Sequence, residues 1–188
     1  RKTIREVLSQ FNALVVVDEA YIDFSNEVSW ISELDRVDNL VVLQTFSKAW
    51  GLANIRLGMA FANPEVIQVL NRIKYPYNVN GITQKYALEA LDRFNQKEKM
   101  VKQILAEREY LKKHLEMLPM VIKIYPSQAN FLLVKFDKAR EVYQFLLNNK
   151  IIVRDRSNVI LCDNCLRITV GNPEENRLII KTLKMMEL

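Results

Sequence analysis

Two short aliphatic runs, each ending in polar residues, constrain the fold of this chain more than any other feature. The first is "VVVDEAY", residues 15–21, and the second is "LVVLQTFSK", residues 40–48. A short apolar run without polar alternation is typical of a strand buried on both faces of a parallel sheet. The two runs therefore predict two buried strands with polar residues at their carboxyl ends.

Helical segments accompany these runs. "TIREVLSQF" begins at a capping threonine, Thr3, and spaces its apolar residues as an amphipathic helix does. "IRLGMAFA" is a third candidate strand, and "PEVIQVLNRI" after it is a helix with proline at its first position. Helices that alternate with buried strands predict an α/β fold with a mostly parallel sheet. In such sheets, ligands bind beyond the carboxyl ends of the strands.

The second half of the chain has a different pattern. A helix at residues 84–91 is followed by a long charged amphipathic helix, predicted from about residue 96 to residue 118. The remainder predicts alternating strands and helices: strands at 121–125, 130–136, 151–154 and 165–170, and helices at 138–149 and from Pro173. We therefore predict part of a large α/β domain over residues 1–92 and a small α+β domain over residues 93–188.

The charge pattern limits the possible partners. The net charge is +5, from 27 Lys+Arg against 22 Asp+Glu, but the basic residues are scattered. The densest clusters, residues 97–102 and 108–113, interleave with acids at helical spacing, which predicts a solvated helix face. An aromatic platform for RNA, an apolar signal region and an apolar run of roughly 18 residues are all missing from the sequence. We expect a cytoplasmic protein that binds neither nucleic acid nor membrane.

The two cysteines, Cys162 and Cys165, form one C-x-x-C pair. A structural zinc site needs a second pair of ligands, and the only histidine, His114, belongs to a charged helical segment. We therefore expect two reduced thiols and no bound metal.

Asp18, Lys48 and Arg56 are the candidates for chemistry. Each has an ordinary alternative, since a carboxylate can cap a helix, most lysines are surface residues and an arginine can form a salt bridge. Together they match the needs of pyridoxal 5′-phosphate (PLP). Its aldehyde takes a lysine, its pyridine nitrogen takes a carboxylate, and its phosphate takes arginine and hydroxyl donors.

The segments "VVVDEAYIDF" and "TFSKAWGLANIRLG" resemble the signature segments of the fold-type I PLP-dependent aminotransferases. The resemblance implies that Lys48 forms the Schiff base and then moves a proton between the substrate Cα and the cofactor. It also implies that Asp18 pairs with the pyridine nitrogen and that Tyr21 donates to the phenolic oxygen of the ring. The cofactor phosphate is assigned to three further residues: Thr45, Ser47 and Arg56.

"DEAYIDF" and "CLRITVGNPEEN" are most similar to the branch of this family that transaminates histidinol phosphate in histidine biosynthesis. Arg167 alternates with apolar neighbours, so it faces the other side of its strand, and it matches the arginine that binds the substrate α-carboxylate. Arg154 matches a position that helps to hold the substrate phosphate, with Arg156 a weaker candidate. Asn130 matches a position near the substrate.

Members of the family carry roughly as much sequence again before the position of residue 1, including one wall of the cofactor pocket. We therefore expect this chain to be a fragment, inactive or nearly so alone, of an enzyme that works as a homodimer on amino acids and oxo acids such as 2-oxoglutarate. The alternatives of the same fold are an aromatic amino acid aminotransferase and a phospho-amino-acid decarboxylase. A non-catalytic module that binds anions or a partner is the alternative from another class.

Overall fold

The computed structural model describes residues 1–186. The chain divides into two compact units, which we call the N-terminal unit (Arg1–Lys97) and the C-terminal unit (Glu98–Leu188). The predicted domains, residues 1–92 and 93–188, remain a proposal about the whole protein. Among the described residues, every helix is too short or too polar to traverse a lipid bilayer.

The N-terminal unit contains three strands and three complete helices. The strands are β1 (Val15–Asp18), β2 (Leu40–Thr45) and β3 (Gly58–Ala62), and the helices are α1 (Lys2–Gln10), α2 (Pro64–Ile73) and α3 (Gly81–Leu91). Three short 3-10 helices lie in the connections, at Ile22–Phe24, Trp30–Arg36 and Ala53–Ile55. The sequence analysis did not predict these three. A long helix, α4 (Phe94–Leu115), begins at the end of this unit.

The strands of the N-terminal unit form one sheet in the order β1-β2-β3. β1 and β2 are parallel, with Asp18 opposite Leu43, and β2 and β3 are antiparallel, with Thr45 opposite Gly58. The predicted α/β class is confirmed. Of the two strand pairs in this sheet, one is parallel. The antiparallel pair places the carboxyl end of β2 beside the start of β3.

The core of the N-terminal unit lies on one face of this sheet. Leu8 of α1 packs with Trp30, Leu40 and Val42, all of them buried. The prediction that β1 is buried on both faces is wrong, because Val16 is 55% exposed. Side chains alternate between the two faces of a strand, and α1 covers only the face that carries the neighbouring valines.

The C-terminal unit is an α+β structure. Its elements are the rest of α4, β4 (Val121–Ile124), β5 (Phe131–Phe136), α5 (Ala139–Asn148), β6 (Arg154–Asp155), β7 (Cys165–Thr169) and α6 (Pro173–Met185). The strands form an antiparallel sheet in the order β4-β5-β7-β6. Its core includes Leu111 and Leu115 of α4, Phe136 of β5 and Leu183 of α6. α6 begins at a capping box on Asn172.

One predicted strand of this unit is displaced. Residues 151–154 were expected to be extended, but only Arg154–Asp155 pair with β7. The preceding residues complete the end of α5, because Lys150 adopts a left-handed backbone (φ 62°) and the Ile151 amide donates to the Leu146 carbonyl at 2.9 Å. This is a helix-terminating Schellman arrangement, which uses residues that an apolar pattern assigns to a strand.

Candidate active site

The carboxyl ends of β1 and β2 lie side by side. Asp18 is the last residue of β1, and the Glu19 amide continues the ladder by donating to the Leu43 carbonyl at 2.8 Å. The Asp18 side chain is exposed, and its Oδ1 accepts a hydrogen bond from the Ala20 amide at 2.9 Å. This bond fixes the exposed carboxylate at the strand end.

Lys48 lies in a tight turn directly after β2. Its carbonyl accepts from the Gly51 amide at 3.0 Å, and Gly51 takes a left-handed backbone (φ 67°) that a side chain would strain. The Lys48 ammonium lies 5.3 Å from the centroid of the Tyr21 ring, and the lysine is exposed. The turn after β2 thus directs an accessible amine toward the segment that follows β1.

Hydroxyl and guanidinium groups line the other side of this turn. Thr45 Oγ1 accepts from the Ser47 amide at 3.0 Å and donates to the Leu57 carbonyl at 3.3 Å. The Leu57 carbonyl also accepts from the Phe46 amide at 3.2 Å, so the start of β3 is tied to the end of β2. Arg56, immediately before this tie, is exposed and holds a left-handed backbone (φ 54°). Its guanidinium donates to the Ala53 carbonyl at 2.9 Å.

A buried carboxylate next to Asp18 was missed by the sequence reasoning. Glu19 is 6% exposed and accepts from the Ser29 hydroxyl at 2.6 Å, the Trp30 amide at 2.7 Å and Gln44 Nε2 at 3.0 Å. These partners stand 10 to 25 positions away in the chain. The signal in the sequence is the acidic pair at the end of an apolar run, from which we predicted a role for Asp18 only. Glu19 locks the backbone that follows Asp18.

The predicted solvated helix face over residues 97–102 is wrong at one position. Lys99 and Lys102 are exposed, but Lys97 is 6% exposed. Its ammonium contacts Asp23 Oδ1 at 2.8 Å and lies over the rings of Phe94 and Trp50. Aromatic neighbours and a carboxylate replace the water that an exposed lysine would keep. Helical spacing alone could not predict this, because Asp23 and Trp50 come from distant segments.

Two predicted arginines meet in the C-terminal unit. Arg154 of β6 lies directly opposite Arg167 of β7 in the antiparallel ladder. Arg167 is flanked along β7 by buried Leu166 and Ile168, and its guanidinium carbon lies 5.0 Å from the centroid of the Phe131 ring. Opposite residues of a ladder project from the same face of the sheet, so two cationic side chains share this surface.

Asn130 and the cysteine pair belong to the same unit, where Asn130 immediately precedes β5 and Cys165 begins β7. The Asn130 carbonyl accepts from the Val170 amide at 2.9 Å, which extends the β5–β7 ladder by one bond. Both thiols are free, and burial raises the pKa of the Cys165 thiol above its ordinary value, with a smaller contribution from Cys162. Through residue 186, no group of three or more His, Cys, Asp and Glu residues is arranged to hold a metal ion.

Comparison with known proteins places this chain in a family. Residues 1–183 match the family described as Aminotransferase class I and II, so the chain belongs to that family. It is 52% identical over 188 residues to the histidinol-phosphate aminotransferase of Parabacteroides distasonis, a match that covers 100% of this chain and 54% of that protein. The chain therefore spans about half the length of the curated relatives it matches.

Solved structures share the fold. The histidinol-phosphate aminotransferase from Clostridium acetobutylicum superposes with a TM-score of 0.92 at 22% identity, covering 100% of this chain and 59% of that one. The histidinol-phosphate aminotransferase from Sinorhizobium meliloti, solved in complex with pyridoxal-5′-phosphate, gives a TM-score of 0.81 at 24% identity. That match covers 92% of this chain and 49% of the Sinorhizobium chain. At these identities, the superpositions establish the fold-type I aminotransferase architecture.

Proposed function

We propose that this chain is part of a PLP-dependent aminotransferase that exchanges an amino group between histidinol phosphate and 2-oxoglutarate in histidine biosynthesis. The keto partner of histidinol phosphate is imidazole acetol phosphate. The main observation behind the proposal is the accessible amine of Lys48, just after β2, which lies 5.3 Å from the centroid of the Tyr21 ring. The names of the relatives support the substrate, and the arginine pair on β6 and β7 supports an anionic one.

The groups at the strand ends fit PLP in their chemistry. A carboxylate at the end of β1 suits a protonated pyridine nitrogen, and an exposed primary amine suits an aldehyde. The end of β2 and the segment before β3 carry a hydroxyl at Thr45, a second at Ser47 and the guanidinium of Arg56, groups whose chemistry suits a phosphate dianion. The Ser47 backbone amide donates to the Thr45 hydroxyl at 3.0 Å, which fixes the turn that carries both residues.

We assign the roles of the residues from the family resemblance and from the chemistry of each side chain. When bound, PLP supplies an electron sink for the pair of electrons left when the substrate Cα loses its proton. Lys48 would hold the cofactor through its ε-nitrogen and, once displaced by the substrate amine, would carry the proton away from Cα. Asp18 would keep the pyridine nitrogen protonated through a charge-assisted hydrogen bond. Tyr21 would donate from its hydroxyl to the phenolic oxygen of the cofactor.

The anionic groups of the substrate would be bound by the C-terminal unit. Arg167, whose planar fork suits bidentate pairing, would take the α-carboxylate. Arg154, opposite it in the ladder, would take the phosphate, and the neighbouring Asn130 would donate to the substrate from its amide. The preference for a phosphorylated substrate therefore depends on Arg154.

The proposal concerns the enzyme to which this chain belongs. Because the chain spans about half the length of its relatives, we expect the isolated chain to show little or no turnover. Preorganised catalysis needs every wall of a pocket. We further propose that the enzyme is a cytoplasmic homodimer that acts on small-molecule substrates, namely amino acids and oxo acids. The substrate class is in keeping with the names of its relatives.

Borohydride trapping tests the proposal directly. The chain would be incubated with PLP, reduced, digested and mapped by mass spectrometry. We expect an adduct on the peptide that contains Lys48, and its loss in Lys48→Ala. The matched control is Lys85→Ala, which removes an exposed lysine of α3 and should leave the adduct on Lys48 intact.

Labelling spread evenly over surface lysines, with Lys48 no more reactive than Lys85, would contradict a preformed cofactor site in this chain. Turnover assays on the enzyme to which the chain belongs then separate the substrates. Changing Arg154 should reduce kcat/KM for histidinol phosphate much more than for an aromatic amino acid. Equal losses would favour an aromatic aminotransferase instead.

A further inference from the structure

We propose that Lys97 is a positioning residue that holds the turn of Lys48 against the segment that follows β1. The inference rests on the proposed function for its catalytic meaning, but its structural content can be tested without the cofactor. Lys97 sits in the first turns of α4, in the N-terminal unit, 49 positions after Lys48.

Lys97 is buried and contacts residues from separate parts of the chain. The residue is 6% exposed, and its ammonium lies 2.8 Å from Asp23 Oδ1. The same ammonium lies 4.6 Å from the centroid of the Phe94 ring and 5.3 Å from the centroid of the Trp50 ring. A single cation thus joins three segments of the chain: its own helix α4 and the two distant segments that contain Asp23 and Trp50.

Two of these segments carry the proposed cofactor ligands. Asp23 comes two residues after Tyr21, in the 3-10 helix Ile22–Phe24. Trp50 comes two residues after Lys48, and its ring lies 5.4 Å from the ring of Phe46, at the other end of the same turn. Lys97 therefore fixes both the strand end that presents Tyr21 and the turn that presents Lys48.

Stability alone does not account for this arrangement. Removing a lysine from water is costly, and a buried ion pair often adds no more stability than apolar residues of similar size would. A charged pair does impose a defined geometry, because the ammonium must stay within reach of Asp23 and over the aromatic faces at once. The arrangement accordingly specifies the distance between two segments, which is the quantity that governs how Lys48 meets Tyr21.

Hydrogen exchange measures the proposed effect. The amides of Gly51 and Leu52 donate to the Lys48 and Phe46 carbonyls, both at 3.0 Å, so their exchange reports opening of the turn. In Lys97→Met we expect both amides to exchange about tenfold faster, in line with the loss of a desolvated cation–π contact. Amides of β2 and β3 should keep their exchange rates. Lys97→Arg, which retains the charge and the ring contact, should restore slow exchange.

Two further variants complete the design. Lys85→Met makes the same chemical change on α3, where the side chain is 75% exposed, and should alter no exchange rate. Asp23→Asn removes the charge that holds Lys97 while leaving the amine over Trp50, so it tests the proposal if Lys97→Met does not fold. We expect faster exchange at Gly51 in that variant too.

Unchanged exchange at Gly51 and Leu52 in a folded Lys97→Met, or in Asp23→Asn, would overturn the proposal. So would an increase spread uniformly over the N-terminal unit that Lys97→Arg does not reverse, because that pattern marks a general stabilising role. PLP trapping on the same variants is read separately. Failure of the wild-type chain to form the Lys48 adduct would count against the proposed function, whereas the exchange pattern would still decide the role of Lys97.

Discussion

Arg154 and Arg167 lie directly opposite each other in the β6–β7 ladder. Like charges in this position repel, by roughly 0.2–1 kcal/mol in exposed sheets. The pair concentrates positive charge on one face of the sheet, which favours binding of an anionic ligand.

The first prediction concerns Arg154→Gln. Without anions, the variant should be more stable to urea than the wild type by about 0.2–1 kcal/mol, because the repulsion with Arg167 is relieved. Added inorganic phosphate should stabilise the wild type more than the variant, since ligand binding to the native state raises its stability. Urea unfolding followed by circular dichroism, with and without phosphate, measures both effects.

Lys181→Gln provides the control for Arg154→Gln. It removes one positive charge from an exposed position on α6 in the same unit. Its response to phosphate should match that of the wild type. If both variants lost the phosphate effect equally, net charge rather than the arginine pair would be responsible.

The second prediction concerns the left-handed backbone of Arg56. This conformation is strained for a residue with a side chain, and we propose that the Arg56 guanidinium binds the cofactor phosphate. Arg56→Gly should change unfolding free energy by less than about 1 kcal/mol, because relief of strain offsets the greater flexibility of the unfolded chain. PLP affinity, titrated by absorbance in the enzyme to which the chain belongs, should fall about tenfold or more, since charge-assisted bonds to the phosphate are lost.

Lys150→Gly is the matched control for Arg56→Gly. Lys150 has nearly the same backbone conformation, with φ of 62° against 54° for Arg56, and it ends α5 in the C-terminal unit. Its replacement should have a similar small effect on stability and none on PLP affinity. A loss of affinity in both variants would mean that backbone flexibility, and not the guanidinium, governs binding.

The third prediction concerns Glu19→Gln. The carboxylate accepts three hydrogen bonds from Ser29, Trp30 and Gln44, whereas a glutamine would turn an NH₂ group toward at least one donor. A buried donor without an acceptor costs about 1–3 kcal/mol, so the free energy of unfolding of the variant, measured in urea, should be lower by that amount. Glu27→Gln, at an exposed position nearby, should stay within about 0.5 kcal/mol of the wild type. Equal stability of both variants would show that the Glu19 bonds contribute nothing net.

The sequence predicted the local features of the site better than the contacts with distant residues that hold the site in place. Asp18 and Thr45 are the final residues of β1 and β2, as the two aliphatic runs indicated, and Lys48 follows in the turn. Such positions are set by short-range patterns, namely a run of β-branched residues and the polar residues that end it. The proposed roles of these residues in catalysis stay predictions.

Features that depend on distant partners could not be predicted. Lys97 occupies a helical position that reads as solvated, and only the tertiary fold brings Asp23 and Trp50 to it. The pairing of Arg154 with Arg167 requires the register of two strands separated by the connection at residues 156–164. A sequence specifies such contacts only through the folded structure, because local patterns fix neither register nor partner.

The last prediction concerns pH and Glu33. The Arg5 guanidinium donates to Glu33 at 2.7 Å, and this bond, with weaker attraction from Arg36 and Arg1, lowers the pKa of the Glu33 carboxyl below its ordinary value. A carboxyl with a lowered pKa in the folded state stabilises the protein above its unfolded pKa, and that contribution disappears as pH falls through the folded value.

Glu33→Gln should therefore be less stable than the wild type at neutral pH. The two should converge as pH falls through the lowered pKa of Glu33, below the ordinary range of a glutamate. Urea unfolding across a pH series would reveal this convergence, with Glu6→Gln on α1 as the control. A constant stability difference at every pH would show that the Glu33 charge is not the source of its effect.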